Sequence, residues 1–177
     1  MKNDDFIERL RSKEIAQHDQ REARAHAQRN QQEVNAKIQA NARSAFDQLE
    51  DIARQLKDNA NSRLEHHRFE IFRAAGGFCI QLGRYTAGFT YAPPLIANIG
   101  TIAMNVYLQE QVSNFAALGF GDDPEPSAPR SFRFEPAWDP DASSVVWTRD
   151  RATFFTGKQL VQEIMEQLIG SGAKTGD

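Results

Sequence analysis

No glycine and no proline occurs before Gly76, although the 177-residue chain holds 11 glycines and 7 prolines. Over the same stretch Ala, Gln, Arg and Glu dominate, which are good helix formers. A span without breakers predicts one helix from about Asp4 to His67. At 1.5 Å per residue such a helix runs roughly 95 Å, more than a compact domain of this size can cover. The first constraint on the fold is therefore what buries its apolar stripe.

Between Ile15 and Val34 the helix carries alanine as its only apolar residue type. A heptad frame aligns Ile38, Ala45 and Ile52 at one core position and Ala42, Leu49 and Leu56 at the other. Continued backwards it reaches Ile7 and Leu10, but it puts Gln17, Arg21, Arg24 and Gln28 on the seam. Alternating steps of seven and four select Ala16, Ala23, Ala27, Val34, Ile38, Ala45, Leu49, Leu56 and Ala60, all apolar. That eleven-residue repeat gives 3.67 residues per turn and a nearly straight or slightly right-handed supercoil. The expected arrangement is a coiled-coil arm forming a homodimer, with Val34, Ile38, Ala45, Leu49, Ile52 and Leu56 at the oligomer interface. An isolated solvated helix and a helical hairpin are the competing arrangements. Residues 1–70 hold 13 basic and 13 acidic side chains. Mixed signs at helical spacing describe a solvated face with weak i,i+4 pairs rather than a nucleic-acid surface.

After the junction near His66–Ala75 the period of apolar residues falls to two. Phe78, Ile80 and Leu82 alternate with Cys79 and Gln81, and Tyr85, Ala87, Phe89 and Tyr91 alternate with small or hydroxyl residues. Gly83–Arg84 between them suits a type II′ hairpin. Ile102, Met104, Val106 and Leu108 share one face of a third strand, and SFRFE, SSVVWTRD and RATFF read as further strands. Thr156 and Gln159 have capping-box spacing ahead of an amphipathic helix bearing Leu160, Val161, Ile164, Met165, Leu168 and Ile169. Gly170 falls where a terminating C′ glycine is expected. The fold class is α+β: a long N-terminal helix over residues 1–67, an antiparallel sheet closed by a C-terminal helix over 68–170, and a flexible tail over 171–177. The proline-rich acidic segment from Gly119 to Asp141 is expected as a loop with a short strand inside it.

Chemistry is harder to find. Gly157–Lys158 lacks the upstream glycine and following hydroxyl of a phosphate-binding loop, and the cap explains it. His18, His26, His66 and His67 lack metal-ligand spacing, and Asp122, Asp123, Glu125, Asp139 and Asp141 do not match a calcium loop. Cys79 is the only cysteine and sits in a predicted strand without a neighbouring base. No catalytic residue, metal or cofactor is assigned. The uncharged run Tyr85–Gln109 raises a membrane reading, which its prolines, asparagines and period-two alternation oppose. Phe132, Arg133, Phe134, Trp138, Trp147, Arg149 and Arg151 form a candidate partner surface, since Trp, Phe and Arg are typical interface anchors. The same set could stack nucleic-acid bases, but neighbouring acids would repel a polyanion.

A formal net charge of −3 and the absence of an apolar leader core make a cytoplasmic protein the expectation. These readings converge on a non-enzymatic interaction protein, an adaptor or assembly subunit. Its helix would associate with a second copy and its β module would dock another protein. Nucleic-acid binding and a membrane-active role are the alternatives.

Overall fold

The computed structural model describes residues 2–65, 68–93, 102–110 and 129–173, the side chains of 2–5 and 172–173 aside. The chain divides into two compact units, Met1–Lys37 and Ile38–Asp177. Helix α1 (Lys2–Asn61) begins in the first and ends in the second. The boundary expected near residue 67 thus lies within the second unit, because the last third of α1 belongs to the same core as the sheet.

In the first unit α1 is a solvated helix. Its exposed i,i+4 pairs include His18 with Glu22 and Gln31 with Asn35. Phe6, Ile7, Leu10 and Ile15 are 47% to 62% exposed, despite their size.

The second unit is α+β. Seven antiparallel strands follow one another in chain order: β1 (Phe69–Ala74), β2 (Gly77–Leu82), β3 (Tyr85–Ala92), β4 (Ala103–Glu110), β5 (Arg130–Asp139), β6 (Ser144–Thr148) and β7 (Phe154–Phe155). Helix α2 (Gly157–Ala173) ends the described chain. The inward residues are those expected from alternation: Phe78, Ile80 and Leu82 lie opposite Phe89, Ala87 and Tyr85, all buried. Gly83 begins the β2–β3 turn at φ 56°, the positive value that the first central position of a type II′ hairpin requires.

Phe46, Leu49 and Ala53 of α1 join these strands and Leu160, Val161, Ile164, Met165 and Leu168 of α2 in one core, with Ala45, Ile52 and Leu56 packed against it. The oligomer-interface assignment is corrected here. Leu49 is 0% exposed within its own chain, and Ala45, Ile52 and Leu56 face the same core, so this part of the stripe already has its partner. Val34 and Ile38 are half-buried and outside that cluster.

The capping box at α2 is present in both directions. Gln159 N donates to Thr156 Oγ1 at 3.3 Å, and Thr156 N donates to Gln159 Oε1 at 2.9 Å. Gly157 lets α2 approach α1 closely, since a Cβ there would meet Leu49 Cδ2 at 2.9 Å. Gly170 does not terminate α2, which continues to Ala173 and so takes up part of the tail expected over 171–177. Residues 174–177 lie outside the described residues.

Three strand expectations also change. Strand β1 forms within the junction expected near His66–Ala75. The strand within the proline-rich segment is ten residues long, and its Pro136 pairs with Trp147. RATFF contributes only the two residues of β7.

Candidate interaction edge and polar cleft

Among the described residues strand β1 is the edge of the sheet, paired on one side only, with β2. Its hairpin closes tightly: Ala74 lies opposite Gly77, leaving Ala75 and Gly76 as the turn, with Gly76 at φ 79°. Gly77 has no room for a side chain, because a Cβ would come within 1.9 Å of the Phe89 carbonyl oxygen.

The direction of the backbone along this edge follows from two facts. A two-residue hairpin closes on a hydrogen-bonded pair, here Ala74 with Gly77. At the other end, Asn61 treats Phe69 as a neighbouring strand would. Its Nδ2 donates to Phe69 O at 2.9 Å, and its Oδ1 accepts from Phe69 N at 2.8 Å. Antiparallel pairing alternates, so Phe69, Ile71 and Arg73 turn N–H and C=O away from β2, while Glu70, Phe72 and Ala74 bond to it. Asn61 thereby covers the first outward position and leaves those at Ile71 and Arg73. The end of α1 is held in place by Arg68 Nη1, which donates to Asn61 O at 2.6 Å, a cation on a helix C-terminus.

Beside the second half of this edge lies a cleft of about 580 Å³ between α1 and the β1–β2 hairpin. Arg43, Asp47, Glu50 and Asp51 line it from α1, and Arg73, Gly76 and Gly77 from the hairpin. Glu50 is its best-held group. It accepts from Arg54 Nη2 at 2.6 Å and from Arg73 Nε at 3.2 Å. The Arg54 hydrogen bond, with a smaller contribution from Arg73, holds the Glu50 carboxyl below its ordinary range against the opposing effect of burial. Arg43 pairs with Asp47 at 3.1 Å and lies over the Tyr91 ring at 5.0 Å, a cation–π contact. Burial pushes the Tyr91 phenol up. Asp51 is exposed and has no ion pair among the described residues.

The candidate partner surface does not stay together. Phe134 and Trp147 are core residues, and Phe134 meets Phe155 edge-on at 6.1 Å. Phe132 packs against the core beneath Arg149, whose guanidinium sits 5.5 Å from its ring. Trp138 is half-buried, Arg133 is exposed on β5, and Arg151 pairs with Glu135 at 3.7 Å. The correction is physical: alternation in β5 sends Phe132 and Phe134 to one face and Arg133 to the other.

The remaining candidates have ordinary roles. Asp139 accepts from the backbone N–H groups of Asp141 and Ala142, shaping the β5–β6 turn. Cys79 is half-buried, and burial raises its thiol pKa, which disfavours the reactive thiolate. His26 contacts Asn30 within α1. His66, His67, Asp122, Asp123 and Glu125 lie outside the described residues. Among the described residues no group of three metal-ligating side chains converges. Strand β3 and all of β4 but Glu110 come from the uncharged run and pair with each other, and no described helix is long and apolar enough to cross a membrane.

Asn61, Glu50, Asp51, Ile71 and Arg73 were not singled out in the sequence. A signal for β1 existed, since Phe69 and Ile71 alternate with Glu70 and lead into Gly76–Gly77. Nothing in the sequence pairs Asn61 with Phe69. No known protein family matches the chain, and neither a curated protein nor a solved structure matches it.

Proposed function

We propose that this chain is a non-enzymatic interaction protein whose N-terminal helical unit self-associates and whose α+β unit docks a protein partner. The observation that carries the reading is the exposure of Phe6, Ile7, Leu10 and Ile15 on an otherwise polar helix. Phe6, Ile7 and Leu10 fall within about 100° of one another around the helix, and such a group of large apolar side chains left in water supports a surface that another chain covers. Leu49, Ile52 and Leu56 are committed to their own core, so self-association rests on the segment from Phe6 to Ile38. A homodimer through that segment presents two copies of the α+β unit and raises avidity for a repeated partner.

Light-scattering mass on the full chain tests this, with a companion variant in which Phe6, Ile7, Leu10 and Ile15 are all changed to Ser. The expected result is a dimer that becomes a monomer in the variant, with the thermal transition of the α+β unit unchanged. A full chain that stays monomeric at high micromolar concentration overturns the self-association reading.

A further inference from the structure

The uncharged run from Tyr85 to Gln109 contributes polar side chains to the face of the sheet opposite its core side. We infer that this outer face binds a neutral, extended oligosaccharide, stacked on Tyr107 and Phe72 and hydrogen-bonded by the amide and hydroxyl side chains beside them. The inference goes beyond the docking of a protein partner by the α+β unit.

One row crosses the strands as Phe72, Cys79, Gly88 and Tyr107, each directly opposite the next. Phe72 and Tyr107 at its ends are 39% and 44% exposed, whereas the inward rings of Phe78 and Phe89 are buried. Three strand spacings separate the two ends, roughly 14 Å. The floor between them is low. Cys79 is half-buried, and a Cβ on Gly88 would meet only Cys79 Sγ, at 3.7 Å.

Amides and hydroxyls flank this row. Gln81, Thr86 and Gln109 lie opposite one another on one side of it, and Thr90 and Asn105 on the other. Solvent-facing positions are where charged side chains ordinarily sit, yet none of these is charged. The outward charges on the flanking strands are Glu70, opposite Gln81, and Arg133, opposite Asn105. Thr90, Asn105, Tyr107 and Gln109 make no side-chain hydrogen bond among the described residues. An amide side chain both donates and accepts, as does a hydroxyl, so a ligand built of hydroxyls can match either.

Charge and shape select among ligands. A polyanion finds one cation on this face and a polycation one anion, whereas a neutral chain meets neutral groups at every central position. A stable protein interface has an apolar centre, but the centre here is Gly88 with polar side chains on both sides. The C–H face of a sugar ring supplies apolar contact to an aromatic ring while its hydroxyls reach the amides. Two rings so far apart on one line are engaged together only by an extended chain of several sugar units.

The test is calorimetric titration of the full chain with cellohexaose, an extended neutral oligosaccharide, with maltohexaose, its coiled isomer, as the control. Tyr107→Ala removes one ring at an exposed position. Gly88→Val raises the floor between the rings without crowding, since its Cβ lies at an ordinary contact distance and β-branched residues suit strands. Thermal melts establish that both variants stay folded. The expected result is saturable binding of cellohexaose, weaker binding of maltohexaose, and a loss of about tenfold or more in each variant. Should Gly88→Val fail to fold, Phe72→Ala takes its place with the same loss expected. Absence of cellohexaose binding, which a protein occupant of this face would also give, overturns the inference. So does equal binding of the two sugars, or unchanged affinity in the variants. The titrations are independent of the light-scattering mass, so failure of this face and failure of self-association are distinguishable.

Discussion

The two ends of α1 are made of the same helix and meet opposite fates. Around Leu49 its apolar residues vanish into a core with β-strands and α2; around Leu10 comparable residues stand in water. Helical periodicity marks a stripe in both places, and in neither does it say what covers the stripe. The difference comes from the supply of a partner. The sheet provides Phe78 and Tyr91 for Phe46 to pack beside, and Gly157 lets α2 close over Leu49 and Ile52. The first 37 residues form a unit of their own. A stripe that continues through a helix can therefore change from intramolecular core to free surface without changing residue type.

The largest expected effect breaks this comparison with one substitution made twice. Leu49→Asp buries a carboxylate in a dry core and should cost about 4 kcal/mol or more, enough to unfold the α+β unit. Leu10→Asp, at a position already half in water, should change stability by no more than about 0.5 kcal/mol. Urea titrations of the two variants decide it. If Leu49→Asp leaves the cooperative transition in place, the stripe near Leu49 is not core.

A smaller effect separates a hydroxyl that caps a helix from one that merely decorates it. Thr156→Ala removes the cap of α2 and should lower stability by about 1 kcal/mol. Ser12→Ala removes only an exposed bond from Ser12 Oγ to the Glu8 carbonyl at 2.9 Å and should be nearly silent. Equal midpoints for the two variants would remove α2 from the list of elements that hold the unit together.

The smallest effect concerns pH. Glu50 in the core-bearing half of α1 has its folded pKa held below the ordinary value of 4.5, first by Arg54 and then by Arg73. Its stabilisation is therefore full above that value and declines as pH falls through the lower folded value. Glu50→Gln should flatten the acid side of the stability profile slightly relative to the parent chain. Parallel melting series from neutral pH downwards compare them.

Much of the α+β unit was legible because its signals are local. Alternation around Gly83 marked β2 and β3, and Thr156 with Gln159 marked the start of α2. Strand β1 was harder to see, because Phe69 and Ile71 give only two alternating positions before Phe72 breaks the pattern. The aromatic and arginine set around β5 and β6 does not form one surface. Adjacent residues in a strand point to opposite faces, so Phe134 and Trp147 went inward while Arg133 stayed outside. The candidate edge was not legible at all, since it depends on Asn61 meeting Phe69 and on Arg73 crossing to Glu50.

By itself the sequence determined a long helix without breakers, a change to period-two strands, and a capped final helix. Each is set by backbone propensity and by spacing along the chain, which neighbours in sequence control. Tertiary structure alone decided which part of the helix is core and which strand stands at the edge of the sheet among the described residues. Those outcomes depend on residues far apart in sequence competing for the same face, and burial rewards whichever partner arrives with matching shape.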